Sequence, residues 1–186
     1  NLAWSYSSPA PAVGAVAGII WQLPVKVFET AVTLVTGGER DPNGPLSIVG
    51  AGILSGEEKW CQLFSEPGAG SDFAGLATKA VRDGDEWIVN GQKVWNTLAH
   101  LGDWGMLVAR TDPEAPKHRG ISFVMMDIKS QGLSLRPLIN MGWKHHFNET
   151  FFEDVRIPVK NRIGEENRVW YVGMTLLDFE RSGIAG

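Results

Sequence analysis

Leu76-Ala77-Thr78-Lys79-Ala80-Val81-Arg82-Asp83-Gly84-Asp85-Glu86-Trp87-Ile88-Val89-Asn90-Gly91-Gln92-Lys93-Val94-Trp95-Asn96-Thr97 is the stretch that decides the fold. Residues 76–81 and 86–90 form two extended runs separated by Arg82-Asp83-Gly84-Asp85, and Asp-Gly supplies the positive φ that a tight hairpin turn needs. Asn90-Gly91 marks a second turn, after which 93–97 read as a further strand. Short apolar runs bounded by turn residues indicate β-structure rather than helix.

The pattern continues on both sides. Residues 60–64 form a short apolar run ended by the polar loop Glu66-Pro67-Gly68-Ala69-Gly70-Ser71. Residues 104–110 and 121–128, rich in Val, Met, Ile and Phe, are strands flanking a loop at 111–120 that holds two prolines. With 133–138 and 150–157 they make about seven or eight strands at short intervals, which fits an antiparallel β-barrel or sandwich. After Pro158 the pattern turns helical. Gly164 and Glu165-Glu166 suit a helix start, because negative charge favours that end of the dipole. Val169, Val172, Leu176 and Phe179 then make an apolar stripe, with Tyr171, Met174, Asp178 and Arg181 on a neighbouring face. The expected class is therefore α+β, with three parts. Residues 1–58 are an atypical, partly helical N-terminal piece, 59–160 a β-domain, and 161–186 the first helix of a further helical domain.

The first 52 residues carry only five charged side chains, which sets them apart from the rest. A broken apolar helix fits within 15–28, interrupted at Pro24, and 37–45 reads as a loop. The apolar stretch from Ala10 to Trp21 lacks the basic flank and the cleavage pattern of a signal peptide. No stretch is long and apolar enough to span a bilayer. Since the chain opens on Asn1 rather than Met, it reads as a fragment or a processed product. A net charge of −4 offers no basic surface for nucleic acid. Cys61 is the single cysteine, which excludes an internal disulfide and favours a reducing compartment; among large apolar neighbours it reads as buried filler rather than a nucleophile. His145 and His146 are adjacent, so on a strand they face opposite ways and cannot share a metal, while His100 and His118 stand alone in turns. No metal is expected.

Chemistry concentrates in two places. In Ser65-Glu66-Pro67-Gly68-Ala69-Gly70-Ser71-Asp72, small residues let the backbone approach a ligand, and N–H groups with Ser hydroxyls can hold a pyrophosphate. The spacing matches neither a Walker loop nor G-x-G-x-x-G, and a plain surface loop is the competing reading. In Lys93-Val94-Trp95-Asn96-Thr97, an indole beside a hydroxyl can pack on a planar ring and donate to one of its heteroatoms; a core tryptophan near a strand end is the alternative.

Taken together, Gln62 to Asp72 and Val89 to Thr97 resemble the two sequence signatures of the acyl-CoA dehydrogenases. The resemblance continues through His118-Arg119-Gly120-Ile121-Ser122, Phe152-Glu153-Asp154-Val155-Arg156-Ile157-Pro158, Gly164-Glu165-Glu166-Asn167 and Leu177-Asp178-Phe179-Glu180-Arg181, in order, over roughly 53–186. It does not extend to 1–52, where Gly44-Pro45-Leu46-Ser47-Ile48-Val49-Gly50-Ala51-Gly52 stands in place of the family's usual residues, through gene rearrangement or divergence.

The resemblance implies a middle β-domain that holds FAD and acyl-CoA between two helical domains. Gln62, Phe64, Ser65, Gly70 and Ser71 would line the flavin and its pyrophosphate, with Ser65 on the pyrimidine edge and Ser71 touching both cofactor and CoA ester. Trp95 would pack along the ring and Thr97 donate near N5, while Asn96 stands where the family usually carries an apolar or small residue. Arg119 would approach the CoA phosphates, a solvated loop arginine being the other reading. Glu180 matches the base that removes the α-proton in one subgroup, with Tyr171, Asp178 and Arg181 contacting substrate; a helix-surface carboxylate is the alternative. The implied activity is α,β-desaturation of an acyl-CoA, with an electron-transferring flavoprotein as electron acceptor, a homo-oligomeric assembly, and bacterial cytoplasm or mitochondrial matrix as the compartment. An acyl-CoA oxidase, or a non-catalytic flavin- or acyl-CoA-binding scaffold, shares the same residues.

Overall fold

The computed structural model describes residues 57–174 and residue 177. The expected N-terminal helix and loop, and Leu176, Asp178, Phe179, Glu180 and Arg181, lie outside the described residues. Eight strands are present among the described residues: β1 (Trp60–Leu63), β2 (Lys79–Asp83), β3 (Glu86–Thr97), β4 (Trp104–Arg110), β5 (Ile121–Asp127), β6 (Leu133–Ile139), β7 (His145–Pro158) and β8 (Arg162–Ile163). A helix, α1, is described over 170–174 and at 177. The sheet runs in the order β6-β7-β3-β2-β4-β5-β8, with β1 joined to β4. Most pairs are antiparallel, as expected, but β1–β4 and the Lys79–Arg110 contact of β2 with β4 are parallel.

Period-two alternation explains the core. In β1, β4 and β5 the side chains go alternately to two apolar clusters, so these strands are covered on both faces. One set (Cys61, Leu63, Leu107, Val124, Met126) packs on Trp87, Val89, Val155 and Ile157 of β3 and β7, giving the sandwich interior. The other (Trp60, Met106, Val108, Phe123, Met125) packs with Phe64 and Phe73 and is covered by Trp170, Val172, Met174 and Leu177 of α1. Met174, expected beside the apolar stripe, thus belongs to it.

The hairpin forms as read. Asp83 pairs with Glu86, and Gly84 at φ 61 occupies the first turn position, where a two-residue loop demands glycine. The second turn does not form: β3 runs unbroken through Asn90-Gly91. Gly91 serves a close approach instead, since a Cβ there would lie 2.7 Å from Thr78 Cα, with φ at 151. β2 starts at Lys79, three residues later than expected, because the N–H groups of Ala77 and Thr78 are taken by the Glu66 carboxylate. β7 begins at His145, five residues earlier than expected. α1 begins after the expected Gly164-Glu165-Glu166 signal because Asn167 and Val169 still bond the start of β5, through Ser122 Oγ and Ile121 O. Satisfying those donors on the sheet outcompetes an earlier helical turn.

Candidate functional site at the ends of β1 and β3

The two chemistry-bearing segments meet. The loop after β1 closes on itself by paired bonds between Glu66 and Ala69 (2.8 and 3.1 Å), and Val94 N donates to Ser65 O at 2.8 Å, docking the loop one residue from Trp95. A Cβ at Gly68 or Gly70 would have no atom of the described residues within 4 Å beyond its chain neighbours, and neither glycine has positive φ. Neither turn geometry nor packing within the described residues requires glycine there, so a bare backbone facing outward is what these positions provide.

Trp95 is turned out by a bulge. Lys93 pairs with Thr150 and Asn96 with Asn148, so β3 has one more residue than β7 between those points. The extra residue rotates the strand, and Trp95 emerges 62% exposed at φ 61. A bulky residue at positive φ is an outlier that persists only where its surroundings hold it. Here Phe147 meets the indole edge-on at 6.0 Å, and Leu98, also at positive φ, donates to His146 O at 2.6 Å. Thr97 lies just beyond, half-buried, with its hydroxyl 3.5 Å from Trp95 O.

A buried ion pair holds the loop and the bulge together. Lys93, 0% exposed, donates from Nζ to Glu66 Oε1 at 2.7 Å and to Phe64 O at 2.9 Å. Burial outweighs the attraction of Glu66 for Lys93 and brings its ammonium down to about 8. Burial alone would raise the Glu66 carboxyl, but Lys93 and the bonds from Ala77 and Thr78 hold it below the usual range. The pair is therefore ionised at neutral pH. Sequence reading missed both residues. Strand parity was the available signal, because Lys93 falls on the same side of β3 as the buried Trp87 and Val89.

The remaining expected residues divide by placement. Ser65 is half-buried, and Gly70 and Ser71 are exposed on the loop. Gln62 Nε2 is buried and has no hydrogen-bond partner among the described residues. Phe64 packs edge-on against Phe73 and Phe123 in the core. Asn96 is buried, its Nδ2 donating to Gln62 O and its Oδ1 accepting from Thr150 Oγ1, so its side chain is fully engaged inside the sheet. Arg119 is exposed on the 111–120 loop, which Lys117 ties to Asp72 at 2.6 Å. Tyr171 is 79% exposed on α1, whose Trp170 touches Phe73 and His118. The loop after β1, the 111–120 loop and the start of α1 thus share one rim. Cys61 is buried and its thiol is pushed up by burial to about 12. Among the described residues no three His, Cys, Asp or Glu side chains gather as a metal site, and no helix is long and apolar enough to cross a membrane.

This donor set fits a flavin dinucleotide. An amide donor without a partner among the described residues, three hydroxyls (Ser65, Ser71 and Thr97), an outward indole and an uncluttered glycine backbone are what a planar heteroaromatic ring and a pyrophosphate need.

Comparison with known proteins agrees. Residues 61–155 match the description "Acyl-CoA dehydrogenase, middle domain". The chain is 47% identical over 132 residues to acyl-CoA dehydrogenase FadE34 of Mycobacterium tuberculosis, covering 71% of this chain and 19% of that protein. It is 45% identical over 126 residues to the mitochondrial long-chain specific acyl-CoA dehydrogenase of Mus musculus, covering 66% of this chain and 29% of the relative. The crystal structure of an acyl-CoA dehydrogenase from Geobacillus kaustophilus superposes with a TM-score of 0.72 at 36% identity, over 80% of this chain and 39% of that one. The chain thus spans about a fifth to two fifths of the length of the curated relatives it matches. Strand order, the outward tryptophan and the matched residues lead to one conclusion: the chain belongs to the acyl-CoA dehydrogenase family, whose cofactor is FAD.

Proposed function

We propose that this chain forms the flavin- and thioester-facing wall of an enzyme that desaturates an acyl-CoA between its α and β carbons. The observation that carries this reading is the bulge between Lys93 and Asn96, which presents Trp95 outward beside the docked Ser65 loop. FAD, when bound, supplies the acceptor for the β-hydrogen, which leaves as hydride. The indole of Trp95 provides an apolar face for the ring, and the hydroxyls of Thr97 and Ser65 donate to its heteroatoms. Gln62 Nε2 gains a partner that none of the described residues gives it. Gly70 and Ser71 receive the pyrophosphate on exposed backbone and hydroxyl, and Arg119 meets the phosphates of CoA. Phe64 and Asn96 act from behind, through packing and hydrogen bonds that fix the two strand ends.

Glu180 takes the α-proton on its carboxylate, and Tyr171, Asp178 and Arg181 complete the substrate side. Electrons then pass to an electron-transferring flavoprotein, within a homo-oligomer of the bacterial cytoplasm or mitochondrial matrix.

The test is an absorbance spectrum of the purified chain with FAD, followed by anaerobic addition of acyl-CoAs of graded length. A bound-flavin band that bleaches with wild type and persists with Glu180→Gln supports the reading. A chain that never takes up FAD, or a variant that bleaches as well as wild type, overturns the corresponding part. Rapid reoxidation by dioxygen with no other acceptor would favour the oxidase alternative.

A further inference from the structure

Asn148 is fully buried on β7, beneath the strand end that carries Trp95 and Thr97. Its Nδ2 donates to Asn96 O at 2.9 Å and lies 3.1 Å from His100 Nδ1, while its Oδ1 lies 2.8 Å from His145 Nε2. Asn96 O settles which way the amide points, since Oδ1 against a carbonyl oxygen would repel. One Nδ2 hydrogen therefore goes to Asn96 O and the other to His100 Nδ1, which must carry a lone pair to accept it. His145 in turn donates its Nε2 hydrogen to Oδ1. The two imidazoles stack with centroids 3.8 Å apart and planes 17° apart.

We propose that Asn148 is a positioning residue for the Trp95–Thr97 strand end, and that protonation of the His100 imidazole stacked on His145 releases its hold. A proton on His100 Nδ1 sets a donor against a donor. Asn148 cannot escape by turning its amide end for end, because that would bring Oδ1 onto Asn96 O. The Asn96 side chain is already committed to Gln62 O and Thr150 Oγ1, so the disturbance passes to the peptide joining Asn96 to Thr97. For that strand end to face flavin is the proposed function, on which the catalytic meaning of this device rests.

The charges around His100 favour the neutral form. Burial first, then the imidazoles of His145 and His146, outweigh the opposite effect of the hydrogen bond with Asn148 and hold it below its ordinary range. On β1, which packs against the His100 turn, the titratable side chain is Cys61, a buried and neutral thiol. On β7 the remaining nearby group is Glu149, which accepts from Gln92 Nε2 at 3.2 Å. Asp103, next along the chain, is occupied by Lys59 N and Lys129 Nζ.

The experiment is an NMR titration of the whole chain without flavin, from about pH 8 to about pH 5, reading the His100 ring nitrogens, the Asn148 side-chain amide and the Thr97 backbone amide. The expected result is one shared midpoint, which moves to higher pH in His145→Phe, a variant that keeps an aromatic ring in the stack and removes the imidazole together with its hydrogen bond to Asn148 Oδ1. A Thr97 amide that does not follow His100, or that stays put when His145→Phe moves the His100 midpoint, overturns the proposal. FAD binding is measured separately on both sides of the midpoint, and an affinity about fivefold weaker on the acidic side is expected in wild type and lost in His100→Phe. Failure to bind FAD at any pH counts against the flavin reading alone, because the NMR titration decides the coupling without it.

Discussion

The ladders β4–β5 and β3–β7 belong to one sheet and are built on opposite logic. Between β4 and β5, seven successive residue pairs run from Trp104–Asp127 to Arg110–Ile121 without a break, and nearly every side chain is apolar and buried. Between β3 and β7 the register shifts twice, Trp95 and Asp154 adopt positive φ, and Lys93, Asn96, Asn148 and Thr150 are buried polar residues. The first ladder needs only apolar area and alternation to find its register. The second holds a strained backbone in place with hydrogen bonds and an ion pair, and it is the one that carries the candidate site. A regular ladder tolerates small losses at any point, whereas a strained one depends on a few polar anchors.

The sharpest way to break this contrast is Lys93→Met. It strands the Glu66 carboxylate in the interior, and removing one partner of a buried pair costs about 3–5 kcal/mol. Urea unfolding should show that loss, and the double variant Glu66→Leu/Lys93→Met should recover part of it. A single variant as stable as wild type would mean that the bulge does not need its anchor.

The same pair predicts a pH dependence. The folded Glu66 carboxyl titrates below its unfolded value of 4.5, so its contribution is complete above that pH and is lost as pH falls through the lower folded value. Urea midpoints measured on acidification should fall for wild type and fall less steeply for Glu66→Gln. Equal slopes would remove Glu66 from the account.

On the regular ladder, Ile121→Val deletes one methylene from a fully buried side chain and should cost about 0.5–1.5 kcal/mol, with no change in flavin binding. The smallest stability effect is expected at Gly68→Ala. Its Cβ meets open space, so unfolding should stay within about 0.5 kcal/mol of wild type. FAD binding should nevertheless weaken if, as proposed, the ligand approaches this bare backbone. A variant that binds FAD normally would turn Gly68 into an ordinary surface glycine.

The amino-acid sequence by itself determined the β-rich class, the Asp83-Gly84 hairpin, the strands of β4 and β5, and the two segments that carry the family signatures. These rest on local quantities: alternation, turn chemistry, and residue types at fixed spacing. Only the tertiary structure decided that Asn90-Gly91 is a close approach to Thr78 rather than a turn, that β2 yields its first residues to Glu66, and that Asn96 faces inward while Trp95 faces out. It also brought together His100 and His145, which sequence reading had left as separate, uninformative residues. Two physical reasons recur. A bulge shifts side-chain parity by one, and a buried polar group bonds to whichever partner the fold brings within about 3 Å. Neither the extra residue nor the distant partner leaves a mark on the local pattern of the chain.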